Sequence, residues 1–311
     1  MKTVLITGAN SYIGTSFEAY AKENYGNQFS ISTIDMIDGS WRDRLFYDED
    51  GRAYDIVFHV AGLAHADIGN VDEETKKKYY SVNTDLAIEC CRHAKESGCG
   101  QFVFMSSAII YGDSAPLGRS KMITKDTEPK PASFYGDSKW QADIGVRGLA
   151  SEGKNGDGDF VVTVLRPPMI YGKGSKGNYP TLAKMAKQLP FFPDIDNSRS
   201  MLYIENLCEF LCKVMMTGYG GIYWPQNAEY SKTSEIVKLI ANVTGHNIIV
   251  SRTFNWPVRI ASHIPGKISG LVNKAFGNLT YDKEISKYDF DYQVFSLKES
   301  LERTEIKQSN Q

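Results

Sequence analysis

Short apolar runs separated by segments of helical length set the tightest limit on what this chain can build. Lys2 to Ile6, Ile31 to Ile34, Ile56 to Val60, Phe102 to Met105 and Val161 to Leu165 each read as a buried strand. Between them lie helix-length segments such as Thr15 to Tyr25 and Lys76 to Ser97. Strands that are apolar throughout and alternate with helices predict a parallel sheet covered on both faces, an α/β doubly wound fold. After Arg166-Pro167-Pro168 the pattern loosens. "MLYIENLCEFLCKVMM" reads as a short strand running into a helix and "GGIYW" as another strand. "TSEIVKLIANVTG" reads as an amphipathic helix with Ser/Thr capping choices before it and a glycine stop after it. Residues 1–166 are therefore expected to form the sheet domain. Residues 167–311 are expected to form a smaller lobe that returns to the sheet near 200–227.

Hydrophobic residues make up 42% of the 311, enough for a sizeable core, and 23% are charged. A net charge of −2 argues against a nucleic-acid partner. The five cysteines, Cys90, Cys91, Cys99, Cys208 and Cys212, include no Cys-x-x-Cys pair and suit reduced, mostly buried thiols. The strand signal begins at residue 3, which leaves no room for an export signal, and no apolar run nears the roughly 20 residues that span a bilayer. A cytoplasmic protein without a membrane partner is expected. "PVRIASHIPGKISGLVNKAFG" (257–277) is apolar with scattered cations, as a membrane-surface helix would be. Pro265-Gly266 breaks it and the charge is sparse, so the reading is helices packed on the smaller lobe.

"TGANSYIG", residues 7–14, joins the first strand to the first helix. Gly8 suits the tight turn, and Gly14 suits a close approach of helix to strand. Backbone N–H groups around Ser11, Tyr12 and Ile13, at the positive end of a helix, suit a dinucleotide pyrophosphate. Asp35 follows 21 residues after Gly14, at the end of Ile31 to Ile34, where a carboxylate accepts from both ribose hydroxyls and repels a 2′-phosphate. NAD is therefore the expected cofactor, and no metal is expected.

Tyr135 and Lys139 stand four apart in "YGDSK", on one face of a helix. A free phenol titrates at about 10, and a neighbouring ammonium together with a positive nicotinamide ring is expected to lower it towards use as a base. Ser106 and Ser107 directly follow the strand Phe102 to Met105, at the edge where open α/β sheets bind ligands. Ser106 is read as a turn cap and Ser107 as the hydroxyl that bridges the phenol and a substrate oxygen.

With these motifs in order, the chain resembles the extended short-chain dehydrogenase/reductases of the NAD-dependent epimerase/dehydratase group, which are Rossmann-type folds with a substrate lobe. The carrying stretches are Thr7 through Gly14, His59-Val60-Ala61-Gly62, "SVNTDLA", "SSAIIYGD", "EPKPASFYGDSK" and "LRPPMIYGKG". The resemblance implies Ser107, Tyr135 and Lys139 as catalytic residues. It places Asn10, Ala61, Gly62, Asn83 and Pro168 with the loop residues around the cofactor, Asn83 as a brace of the active-site backbone. Ser40 stands where relatives often carry an acidic residue that meets adenine, which leaves that contact to Trp41. His59 is read as a packed strand residue and His65 as lying at most near the cleft mouth.

In this family the substrate is usually a sugar on a nucleoside diphosphate. "GKGSKGNYPTLAKMAKQLPFFPDIDNSRSMLYIENL" resembles the variant in 4-epimerases and 4-keto-sugar reductases, which implies that Asn178 and Arg199 contact a UDP-linked substrate alongside Ser107. Arg252 or Arg259 would replace a missing diphosphate-gripping arginine motif. The resemblance implies a 4-epimerase acting by transient C4 oxidation, with a 4-keto-sugar reductase or a reductase of a non-sugar carbonyl as alternatives, and a homodimer through a four-helix interface. Dehydratases carry Asp-Glu after the catalytic hydroxyl, where this chain has Ala108-Ile109.

Overall fold

The computed structural model describes residues 1–43, 45–63, 71–151 and 159–306, except for the side chain of Lys267. His65 and most of the polar stretch 151–159 lie outside the described residues. Among those described, six parallel strands form the central sheet. They are β1 (Lys2–Thr7), β2 (Phe29–Ile34), β3 (Ile56–His59), β4 (Gln101–Met105), β6 (Val161–Leu165) and β10 (Gly221–Tyr223), in the order β10-β6-β4-β3-β1-β2. Two-residue β5 (Met122–Ile123) lies outside this sheet and pairs with β12 (Thr280–Tyr281).

Alternate side chains of the strands feed two cores, because successive residues of a strand face opposite ways. Val4, Ile6, Ile56, Phe58 and Val103 pack with α1 (Tyr12–Tyr25) and α6 (Ile204–Thr217). Leu5, Val57, Phe102, Phe104, Val162 and Val164 pack with α3 (Leu86–Glu96) and α4 (Phe134–Arg147). Helices on both faces explain why these strands are apolar throughout rather than alternating. All five cysteines are free and buried.

The segment expected as one helix over Lys76 to Ser97 is α2 (Glu73–Tyr80), a π-turn at Ser81–Asp85, then α3. Such a π-turn inside a helix often marks a functional position. β2 lies on one side of β1 and β3 on the other, so the chain reverses direction across β1. The carboxyl ends of β1 and β3 thus frame a crevice at the switch point, the usual ligand site of an open α/β sheet.

Beyond β6, β7 (Met169–Tyr171) pairs with β9 (Met201–Tyr203) in a separate two-stranded ladder, and β10 joins the main sheet beside β6. Between them run α5 (Asn178–Gln188) and β8 (Phe191–Pro193). Next come α7 (Thr233–Val243), β11 (Ile249–Ser251), α8 (Asn255–Ser262), α9 (Lys267–Phe276) and α10 (Leu297–Glu305). No serine or threonine caps α7. Asn197 accepts from the Thr233 N–H at 3.0 Å, so the cap comes from a distant loop. Among the described residues no helix is long and apolar enough to cross a membrane.

Candidate active site

β1 ends in a turn at Gly8, whose φ is +94° and where a Cβ would lie 2.9 Å from the Ala61 backbone. Only glycine fits both the conformation and that approach between the loops after β1 and β3. Asn10 takes φ +63°, which asparagine tolerates better than most residues. Ser11 is the N-cap of α1, its Oγ accepting from the Gly14 N–H at 3.1 Å. A Cβ at Gly14 would lie 2.6 Å from that Oγ and 3.1 Å from Ile6, so the glycine makes room for the serine and for the strand.

The amides of Tyr12 and Ile13 fall in the first turn, where no helical carbonyl lies within reach of a donor. A crowded glycine, a capped helix start and the helix's positive pole fit a dinucleotide pyrophosphate. Exposed Asp35 follows β2 at the same edge, its Oδ1 accepting from the Ile37 N–H at 2.9 Å. That leaves its other oxygen for a ribose.

Trp41 does not belong with these residues. The indole is completely buried in the same core cluster as Leu5, Met36, Phe46, Cys90 and Cys91, with the Arg42 guanidinium over the ring at 4.5 Å. His93 covers it edge-on, centroids 5.6 Å apart. No face is open to an adenine, so the expectation of an adenine contact at Trp41 fails, because an indole there is worth more to the core than to the crevice.

Asn83 sits in the π-turn, almost wholly buried. Its Oδ1 accepts from the Leu63 N–H at 2.8 Å, and its Nδ2 donates to the Leu63 carbonyl at 3.1 Å and to Ser138 Oγ at 3.2 Å. Both amide hydrogens are used by these contacts, while Oδ1 keeps a second acceptor site. Asn83 therefore holds the loop after β3 against α4. Gly62 lies between, where a Cβ would meet Asn83 Oδ1 at 3.1 Å and Lys139 Nζ at 3.3 Å. Ser138 is the hub that sequence reasoning missed, although "YGDSK" contains it. Its Oγ donates to the Tyr135 carbonyl at 2.9 Å, and its own carbonyl accepts from Thr84 Oγ1 at 2.7 Å.

Ser133 caps α4 by accepting from the Gly136 N–H at 3.1 Å, which starts the helix just before Tyr135. Lys139, one turn on, is buried and donates from Nζ to the Met105 carbonyl at 3.2 Å, at the end of β4. Burial pushes its ammonium down to about 8. Burial, with Tyr79 beside it, pushes the Tyr135 phenol up to about 12. The two rings meet edge-on, centroids 5.9 Å apart. In the chain without cofactor, desolvation sets the direction of the Tyr135 phenol, so the expected lowering falls to Lys139 together with the positive nicotinamide ring.

The turn cap expected at Ser106 falls to Ser107 instead. Ser107, part-exposed, caps the short turn Ala108–Tyr111, its Oγ accepting from the Ile109 N–H at 3.3 Å. Ser106 is the buried one, and its Oγ has no partner. Capping leaves the Ser107 proton free, so the hydroxyl remains a donor at the carboxyl edge of β4. Pro168 is buried just after β6. The adjoining Pro167 carbonyl accepts from the Ala108 N–H at 2.9 Å and ties this segment to the Ser107 turn. His59 is a packed strand residue, as expected. Nδ1 pairs with Thr7 Oγ1 at 2.8 Å, the ring stacks near Phe102 and Phe104, and burial drives its pKa down to about 3.

In the smaller lobe, Asn178 is exposed at the first position of α5, where Gly177, not Asn178, holds the cap position. Arg199 is half-buried and donates from Nη1 to the Lys274 carbonyl of α9. Burial pushes its pKa down, and no carboxylate pairs with it among the described residues. Arg252 is exposed, and its charge is already met by Asp194 and Asp196, at 3.8 and 3.4 Å. It is a poor substitute for a diphosphate grip.

Residues 4–223 match the model of the NAD dependent epimerase/dehydratase family. The chain belongs to that family. A UDP-glucose 4-epimerase of Vibrio cholerae is 25% identical over 299 residues, spanning 90% of this chain and 87% of that one. An N-acetyl-α-D-glucosaminyl-diphospho-ditrans,octacis-undecaprenol 4-epimerase of Escherichia coli O157:H7 is 26% identical over 67% of this chain and 61% of its own. A dTDP-4-dehydrorhamnose reductase of Bacillus anthracis, solved with NADP, shares the fold at a TM-score of 0.68 and 18% identity, covering 98% and 99% of the two chains.

In this NAD-dependent epimerase/dehydratase family member, Gly8, the start of α1 and Asp35 at the same sheet edge would hold the dinucleotide, while Lys139 bonds the end of β4 one helical turn from Tyr135. Hydride exchange is the chemistry that NAD would supply when bound there. The chain contributes a phenol, a hydroxyl donor and a buried cation.

Proposed function

We propose that the enzyme is a nucleotide-sugar 4-epimerase acting by transient oxidation at C4, on a UDP-linked hexose with or without an N-acetyl group. One arrangement carries the reading. Ser107, with its proton free, adjoins the end of β4, where the Met105 carbonyl holds Lys139 one helical turn from Tyr135. Tyr135 draws the proton from the C4 hydroxyl, Ser107 donates to the same oxygen, and Lys139 stabilises the phenolate. A phenol at about 12 is neutral in the free protein, so proton transfer awaits the charge of the bound oxidised cofactor.

Residues from 167 onward form the substrate lobe in this reading. Exposed Asn178 and Arg199, which meets no carboxylate among the described residues, suit the sugar diphosphate, which a guanidinium grips through two N–H groups. No carboxylate stands at positions 108 and 109, which disfavours elimination at C6. The Vibrio cholerae relative, named a UDP-glucose 4-epimerase and matched over most of the chain, supports epimerisation over net reduction.

Anomeric-proton NMR after mixing the protein with UDP-glucose or UDP-N-acetylglucosamine tests this. The expected result is the C4 epimer without added reductant, abolished by Tyr135→Phe. No epimer, together with NADH oxidation by a 4-keto-sugar nucleotide, would make the enzyme a reductase. Turnover retained in Tyr135→Phe would overturn the assigned base.

A further inference from the structure

Residues 252–277 contain four Lys or Arg and no Asp or Glu. They form a short turn at Arg252–Phe254, then α8 and α9, which pack on each other. Val258, Val272, Ala275 and Phe276 anchor the pair to the core. Facing outward instead are Trp256 at 66% exposure, Ile260 at 58% and Leu271 at 66%, together with Ile264 and Ile268. Trp256 and Ile260 are one turn apart on α8, and Ile268 and Leu271 one turn apart on α9, so each helix carries an apolar stripe. The surface continues through Phe254, whose ring lies 5.1 Å from that of Phe191. Phe191 and its strand partner Ile249 are also exposed.

This many large apolar side chains on one element exceed what a solvated surface needs, and they mark a docking face. The expectation of simple packing on the lobe holds for the inner side of α8 and α9 and fails for the outer. Charge selects the occupant. Arg259 and Lys274 are exposed on these helices with no carboxylate in the segment, and the neighbouring Asp194 and Asp196 are already engaged by Arg252 and Lys232. A second copy docked by two-fold symmetry would bring these like charges together. An anionic surface neutralises them while Trp and Ile enter the headgroup layer.

We propose that α8 and α9 dock the protein on the surface of an anionic lipid bilayer. This departs from the expectation of no membrane partner, because neither the break at Pro265-Gly266 nor the sparse cations determine which side chains face out. The break proves compatible, because two short helices present their stripes separately. The Arg199 bond to the Lys274 carbonyl also ties the docking face to the residue proposed for the diphosphate. Only that link rests on the proposed function.

Flotation of the full-length protein with phosphatidylcholine vesicles, with and without phosphatidylglycerol, tests docking without any turnover. The expected result is recovery with the anionic vesicles, release at raised salt and a blue shift of tryptophan emission. Leu271→Asp and Ile260→Asp should each lower vesicle binding by about tenfold or more, with an unchanged thermal melt because both sites are exposed. Trp256→Phe should keep most of the binding and lose most of the blue shift. Absence of flotation with either vesicle overturns the proposal, as does full binding by both Asp variants. It is also overturned if light scattering shows the Asp variants converting a wild-type dimer to monomer, which would make the face a contact between copies.

Discussion

Leu63 and Asn83, 20 residues apart, exchange two hydrogen bonds that lock the loop after β3 onto the π-turn: Leu63 N–H to Oδ1 at 2.8 Å, and Nδ2 to the Leu63 carbonyl at 3.1 Å. Asn83→Ala orphans both backbone groups in a half-buried place. Urea denaturation should show a loss of about 2 kcal/mol, the scale for leaving buried polar groups unpaired. NAD affinity should fall with it, since the same loop flanks the crevice. A loss under about 0.5 kcal/mol would show that the brace is dispensable.

Lys139 gives a pH signature. Its ammonium is held at about 8 against an ordinary 10.5. Below pH 8 the lysine is charged folded and unfolded, and the folded state carries the full desolvation cost. Between 8 and 10.5 only the unfolded chain holds the proton, so stability gains as pH rises, and above 10.5 the cost is gone. Lys139→Met should therefore abolish turnover yet be more stable than the parent at pH 7, by about 1–3 kcal/mol. At pH 10 the gap should have nearly closed. Urea midpoints at the two pH values decide it, and a Met variant weaker at pH 7 would contradict the buried-charge account.

Asp143 and Arg166, 0% and 5% exposed at their side chains, form a two-pronged ion pair with bonds of 2.8 and 2.9 Å. Asp143→Ala leaves the guanidinium buried without its carboxylate and should cost about 3–5 kcal/mol. Replacing both, as Asp143→Leu with Arg166→Met, should recover much of that loss in the same denaturation assay. A double variant as weak as the single would show that the pair itself, not the unpaired charge, supplies the stability.

Ser11 caps α1 while standing in the cofactor loop. Ser11→Ala should cost about 1 kcal/mol and Ser11→Gly only a few tenths, following the order of cap residues. NAD titration of Ser11→Gly should show little change. A large tightening would mean that the serine obstructs the pyrophosphate.

Much of this was legible in the sequence because it depends on neighbours. The strand–helix alternation, the Gly8 turn, the Ser11 start and the one-turn spacing of Tyr135 and Lys139 are set within a few residues, where propensity and hydrogen-bonding rules act. Other features depend on partners far along the chain. Trp41 reads as a surface aromatic until α3 closes over it. Which of Ser106 and Ser107 caps a turn depends on the path of the chain after β4. The direction of the Tyr135 pKa is set by how deeply Tyr79 and the surrounding core enclose it. The outward stripe of Trp256, Ile260 and Leu271 has the same apolar composition as the residues that anchor those helices. Burial belongs to the assembled surface rather than to the residue, so composition could establish that α8 and α9 are apolar, and tertiary packing alone decided which of their side chains remain in water.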